Sequence, residues 1–217
     1  MTRMVYPSFL SNALKIFHNT VLVLEREDGT VCERYDMMFT LKTKLQQRQS
    51  DGFFGAQTGV LLQQFPDRQA AVLREDMCNF YQSSLTYLEQ RYDFSDSNYQ
   101  KKVASLALKK SPFNFSHLGE AVEVLQLSKK LDMDALHDEY CVVLPHQQAI
   151  VQSGATVVEK WATLLKHTHT PNMTALASFL LSVPITNASV ERATSASTAQ
   201  ANESSSAPII FSTLSSR

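Results

Sequence analysis

Residues 173–195 read MTALASFLLSVPITNASVERATS. Leu176, Phe179 and Leu180 recur there at helical spacing, Thr170 and Pro171 just upstream supply a cap and a first-turn proline, and Pro184 stops the helix. A second, shorter helix is expected from about Asn187. Its adjacent charges, Glu191 and Arg192, stand out in a stretch otherwise poor in charge. On spacing alone Glu191 reads as a solvated first-turn glutamate that suits the helix dipole, with a positioned metal ligand as the alternative. The helical period of this stretch governs nearly every other apolar segment. The expected fold is therefore mainly α, a multi-helix bundle of about eight to ten helices with under a tenth strand.

Composition bounds the rest. A chain of 217 residues with 44% hydrophobic content can bury one core, or one and a fragment. A net charge of −1 and a pI near 6.6 give no electrostatic footprint of a nucleic-acid-binding domain, so direct DNA binding is not expected. Cys32, Cys78 and Cys141 are far apart, odd in number and set in apolar helical patterns. They fit neither a disulfide framework nor a zinc site, and read as reduced core thiols. Residues 1–10 hold Arg3, Tyr6 and Pro7 rather than an apolar run, and no later segment reaches membrane-spanning length. The expectation is an intracellular, soluble protein with no membrane partner, in which the sequons at Asn114, Asn172, Asn187 and Asn202 are chance matches.

Moving back to the start, Ser11 is a cap candidate for a first helix whose Leu14, Phe17, Val21 and Leu24 lie on one stripe and which Gly29 ends. A second helix, from about residue 30 to 49, places Val31, Tyr35, Met38 and Leu45 on a common face and exposes Lys42, Lys44, Gln47 and Arg48. Phe53 and Phe54, flanked by glycines, read as core rings at a helix junction rather than an exposed stacking wedge, since no basic residues adjoin them. Residues 67–92 give the longest apolar stripe, through Leu73, Met77, Phe80, Tyr81, Leu85 and Leu88, and residues 93–98 make a polar break. Beyond it Ser116 caps a helix with Leu118, Val122 and Leu125 inward, ending near Lys130. Asp132 caps another with Leu136, Tyr140 and Val143 inward and Pro145 as terminator. A further helix over residues 156–167 holds Trp161.

Three groups invite chemistry and yield to plainer readings. Lys101, Lys102, Lys109 and Lys110 are the one basic concentration, but lack arginine and are split by residues 104–108, so they read as an exposed helix end. Asp132, Asp134, Asp138 and Glu139 lack the glycine turn and ligand periodicity of a calcium loop and suit a helix N-terminus. His167 and His169 lack a third ligand for zinc. No metal or cofactor site is expected.

Residues 183–195, VPITNASVERATS, resemble the motif near the C-terminus of hAT-superfamily (hobo/Activator) transposases. Ser189, Glu191, Arg192 and Ser195 match, and Thr194 stands where the family has Phe. The resemblance implies that Glu191 occupies the position of the third carboxylate of an Asp, Asp, Glu metal site on a ribonuclease-H-like fold, within a region named for dimerisation. Less specifically, LEREDGTVCERYDMMFTLKTKLQQRQSDGFFG and the following helix ending YLEQRYDF resemble the helical insertion of vertebrate hAT-derived proteins. The resemblance covers residues 12–195. It implies an insertion-like bundle over 1–96, a second helical segment over 97–155 and a truncated dimerisation-like region over 156–195, whereas residues 196–217, Ser/Ala/Thr-rich and without helical periodicity, depart from the family and read as a disordered tail.

The family's first two aspartates and its zinc-finger DNA reader would lie upstream of such an insertion, and no aspartate-bearing strand precedes residue 12. One glutamate cannot hold the paired ions that phosphodiester cleavage needs. The chain therefore reads as a transposon-derived, catalytically inactive helical protein that associates weakly with itself or related hAT-derived chains, nuclear by resemblance. Trp161, Leu176, Phe179, Leu180, Ile185 and Arg192 are the expected interaction residues, with an exposed apolar surface around Phe179, Leu180 and Ile185. Part of an active transposase and an unrelated helical scaffold are the alternatives.

Overall fold

A computed structural model describes residues 2–26, 28–166 and 169–183. Among them are nine α-helices and no strand: α1 Thr2–Leu24, α2 Val31–Ser50, α3 Ala56–Leu62, α4 Asp67–Arg91, α5 Tyr99–Val103, α6 Phe115–Val124, α7 Met133–Gln152, α8 Val157–Leu165 and α9 Pro171–Ser182, with a 3-10 helix at Ala104–Ala107. The mainly helical bundle expected from the apolar period is the architecture found. The readings of Ile185, Asn187, Glu191, Arg192, His167 and the 196–217 tail fall outside the described residues.

Two apolar clusters sit within one compact unit, Met1–Ile185, and α2 feeds both. The first joins α1 to α4 through Val5, Phe9, Leu45, Phe54, Met77 and Tyr81. Phe9 meets Phe80 and Tyr81 edge-on at 5.3 and 5.5 Å, a preferred aromatic geometry. The second gathers Val31 and Cys32 of α2 with Leu106, Phe113, Leu118, Leu136, Trp161, Met173 and Leu180. Val31, Tyr35, Met38 and Leu45 face inward as their spacing requires, and Thr30 caps α2, its amide and hydroxyl both donating to Glu33 Oε2. At Gly55, where φ is +103°, a Cβ would lie 2.9 Å from the Asn12 side chain, so α1 and α3 approach as only glycine permits.

Three sequence expectations are corrected. α1 starts at Thr2, not beyond Ser11, and runs through Pro7. An interior proline costs about 3 kcal/mol, and burial of Val5 and Phe9 on either side of Pro7 outweighs it. Its core face is also not the stripe read from the sequence. Val5, Phe9, Ala13 and Ile16 are buried, whereas Leu14 and Val21 are 54% and 46% exposed. Pro145 does not end its helix either: α7 continues to Gln152 because Val143 and Ile150 are buried on one face on both sides of it.

Smaller differences have local causes. Asn114, rather than Ser116, caps α6, its Oδ1 accepting from the His117 amide at 3.1 Å and the Ser116 hydroxyl at 2.7 Å, and the helix closes at Val124. Of the paired rings, Phe54 is buried while Phe53 is exposed beneath the Arg48 guanidinium, 5.2 Å from the ring centroid. Cys32 is buried, Cys78 half-buried and Cys141 exposed, so only the first is a core thiol.

Candidate functional site

Three helix N-termini organise the chain from residue 132 onward, and each is closed by an acid in a different way. At α7, Asp132 Oδ1 accepts from the amides of Asp134 and Ala135 at 3.0 and 3.2 Å. At α8, Glu159 Oε2 accepts from the Thr156 amide at 2.8 Å and hydroxyl at 2.9 Å, and these bonds hold its carboxyl below the usual glutamate range. At α9 the acid comes from another helix. The buried carboxylate of Glu139, on α7, accepts from the Asn172 amide at 3.0 Å, the Asn172 side-chain amide at 2.8 Å and the Met173 amide at 2.7 Å. Asn172 Oδ1 in turn accepts from the Asp132 amide at 3.1 Å. The acidic run that suggested calcium is thus spent partly on caps, and the sequon at Asn172 is held in hydrogen bonds.

α8 is fastened to the segment before α6. Lys160, buried on α8, donates to the carbonyls of Leu108 and Val151 at 2.9 and 3.1 Å. Trp161 donates from Nε1 to the Leu106 carbonyl at 2.9 Å and stacks on Phe113 with centroids 5.4 Å apart. Leu108 takes a left-handed conformation, φ +52°, where it turns toward these bonds.

Of the interaction residues read from the sequence, Trp161, Leu176 and Leu180 lie in the second cluster and are fully buried, and Phe179 is 38% exposed. The expected exposed surface therefore keeps Phe179 and loses Leu180, which has turned inward with Met173, Leu176 and Ala177. Val142 and Leu144 on α7 and Val158 on α8 are exposed apolar residues that sequence reasoning missed. Each adjoins a buried position (Val143, Val157), and periodicity picks out only the buried neighbour. Three of the four clustered lysines are ion-paired: Lys101 with Asp96, Lys109 with Glu33, and Lys110 with Asp36 at 2.7 Å. Among the described residues no group of three or more His, Cys, Asp or Glu side chains could hold a metal ion, and no helix is long and apolar enough to cross a membrane.

Residues 133–207 match the family model of the hAT family C-terminal dimerisation region. Over these residues the chain is similar to that region. The match opens on Met133, the first residue of α7, so α7, α8 and α9 are its described part. No curated protein and no solved structure gives a significant match. The interhelical cap from Glu139 and the Trp161 anchor therefore shape the segment that matches this model, fixing which apolar side chains it seals and which, like Phe179, it leaves out.

Proposed function

We propose that this protein is a transposon-derived helical module that associates with a second copy, or with a related hAT-derived chain, through its dimerisation region, and performs no DNA cleavage or strand transfer. The observation that carries the reading is the match over residues 133–207, on a segment whose helices are firmly capped yet keep Val142, Leu144, Val158 and Phe179 exposed. Burial of Trp161, Leu176 and Leu180 gives these residues a supporting part, holding α8 and α9 in place, while Phe179 is the contact.

Catalytic inactivity is supported by the chemistry. Hydrolysis of a phosphodiester by paired divalent ions needs clustered carboxylates, and the family motif supplies Glu191 alone. The balanced net charge and the ion-paired lysines likewise favour protein over DNA as partner. Similarity to the hAT family favours a nuclear location.

Sedimentation of the full chain tests the association. A monomer–dimer equilibrium in the micromolar range, shifted at least about tenfold toward monomer by Phe179→Glu with unchanged circular dichroism, is the expected result. Association indifferent to Phe179→Glu and to Val142→Glu would overturn the assignment of this face. Cleavage of transposon-end DNA with magnesium or manganese, abolished by Glu191→Gln, would overturn the catalytic reading.

A further inference from the structure

Two clefts adjoin where α2 passes the segment between α5 and α6, and they share Asp36, Lys109 and Lys110. The smaller, of about 250 Å³, is ringed by polar side chains, with Ser105, Ser111 and His117 beside the shared three. The larger, of about 370 Å³, opens toward α1 and adds the apolar Val23 and Met37 together with Lys44. The Ser105 Oγ is buried at the smaller cleft and has no hydrogen-bond partner among the described residues. A buried hydroxyl without a partner calls for one, and the cleft that Ser105 lines is where one can enter.

The remaining groups are donors as well. His117 Nδ1 accepts from the Asn114 amide at 3.1 Å, so the neutral ring carries its proton on Nε2. Lys109 is paired with Glu33, and Lys110 with Asp36 at 2.7 Å. An ammonium has three protons to give, so a carboxylate on one side leaves it able to hold an anion on the other. Across both clefts Lys44, Lys109 and Lys110 stand against Glu33 and Asp36, a surplus of one positive charge. Water would satisfy Ser105, but it does not account for that surplus at the same place.

We propose that the paired clefts bind a small phosphate monoester, its phosphate among Ser105, Lys109, Lys110, Ser111 and His117 and its apolar body against Val23 and Met37. The number of donors selects the anion: a monoester dianion turns three terminal oxygens toward them, whereas a carboxylate or a phosphodiester offers two. The second cleft selects an ester over inorganic phosphate, because Val23 and Met37 have something to gain only from an apolar body. A nucleic acid is disfavoured, since a surplus of one charge confined to two clefts is no basic stripe along which a backbone could run. These side chains come from residues 19–44 and 105–117, outside the matched 133–207, so the site does not rest on the proposed association.

Amide NMR titrations of the full chain with phenyl phosphate, inorganic phosphate and dimethyl phosphate decide it. Phenyl phosphate is expected to shift the amides around Ser105 and Ser111 saturably, with a Kd of about 1 mM or below, and to bind at least about threefold more tightly than inorganic phosphate and about tenfold more tightly than the diester. Ser105→Ala and Lys110→Gln, whose spectra show that each remains folded, are expected to weaken phenyl phosphate at least about fivefold. Val23→Ser, on an exposed residue, is expected to remove the advantage of phenyl over inorganic phosphate and to leave the latter unchanged. Lys102→Gln, outside both clefts, is expected to change neither. Absence of a saturable shift up to about 20 mM, equal affinity for the diester, or undiminished binding in Ser105→Ala and Lys110→Gln would overturn the proposal. A single-stranded oligonucleotide without terminal phosphates that displaces phenyl phosphate at a lower phosphate concentration would assign the site to nucleic acid and overturn it too.

Discussion

The carboxylate of Glu139, in the second turn of α7, closes the N-terminus of α9, with Met173 donating its amide to Oε2 at 2.7 Å. Oε1 takes two further bonds from Asn172. A charged acceptor shared by three donors at a helix N-terminus satisfies amides that have no partner within the helix and meets the positive end of its dipole. Glu139→Ala leaves those buried donors without their acceptor and is expected to cost about 3 kcal/mol, with Glu139→Gln, which keeps one acceptor oxygen, costing roughly half. Urea unfolding checks the ordering. A loss under about 0.5 kcal/mol for the alanine variant would show that α9 is held by its apolar face alone.

This cap also marks how far the sequence is readable. Apolar period announced the helices, and a short-range cap was legible at Asp132, which accepts from amides two and three residues on. Thr170 and Pro171 correctly predicted where α9 starts. The residue that caps α9 lies 33 to 34 positions upstream, and no local pattern connects the two. The misread stripe of α1 has a related cause. Two apolar stripes on one helix are equally periodic, and which one the bundle takes depends on Phe54, Phe80 and Tyr81 packing around Phe9, a tertiary fact. Within the candidate interface, Trp161, Leu176 and Leu180 were recognisable as apolar anchors, but whether an anchor turns inward or outward is decided by its neighbours in space.

Gln147 is an internal fault line of α7. Its side chain is fully buried, and neither Oε1 nor Nε2 has a hydrogen-bond partner among the described residues. A buried amide without partners carries its desolvation cost uncompensated. Gln147→Met, similar in length and apolar, is expected to stabilise the chain by about 1 kcal/mol in urea unfolding. Destabilisation by a similar amount would show that the amide is bonded in solution.

The cysteines should separate cleanly by reactivity. Burial pushes the Cys32 thiol up to about 12, with the neighbouring Glu33 charge acting in the same direction, so the nucleophilic thiolate is scarce as well as inaccessible. Cys141 is exposed and Cys78 half-buried. Alkylation of the native chain near pH 8 is expected to label Cys141 first and Cys78 more slowly, and Cys32 only as fast as the fold opens. Mass spectrometry of timed digests reads the order, and early labelling of Cys32 would contradict its place in the second cluster.

Glu159 gives the α8 cap a pH dependence whose sign is fixed by its hydrogen bonds. The Thr156 amide, and then its hydroxyl, hold the folded-state carboxyl below the usual glutamate range. A group lowered on folding contributes stability that is fully present above the unfolded value and is lost as pH falls through the folded one. Glu159→Gln keeps an oxygen that can accept both bonds in the box but removes the titration and the charge at the helix N-terminus. The variant is expected to be less stable than the wild type near pH 7, and the gap is expected to close progressively below about pH 4.5. Urea midpoints taken from about pH 7 down to about pH 3 measure it. A gap that stays constant across that range would mean that the contribution of Glu159 is packing along α8 and not its charge.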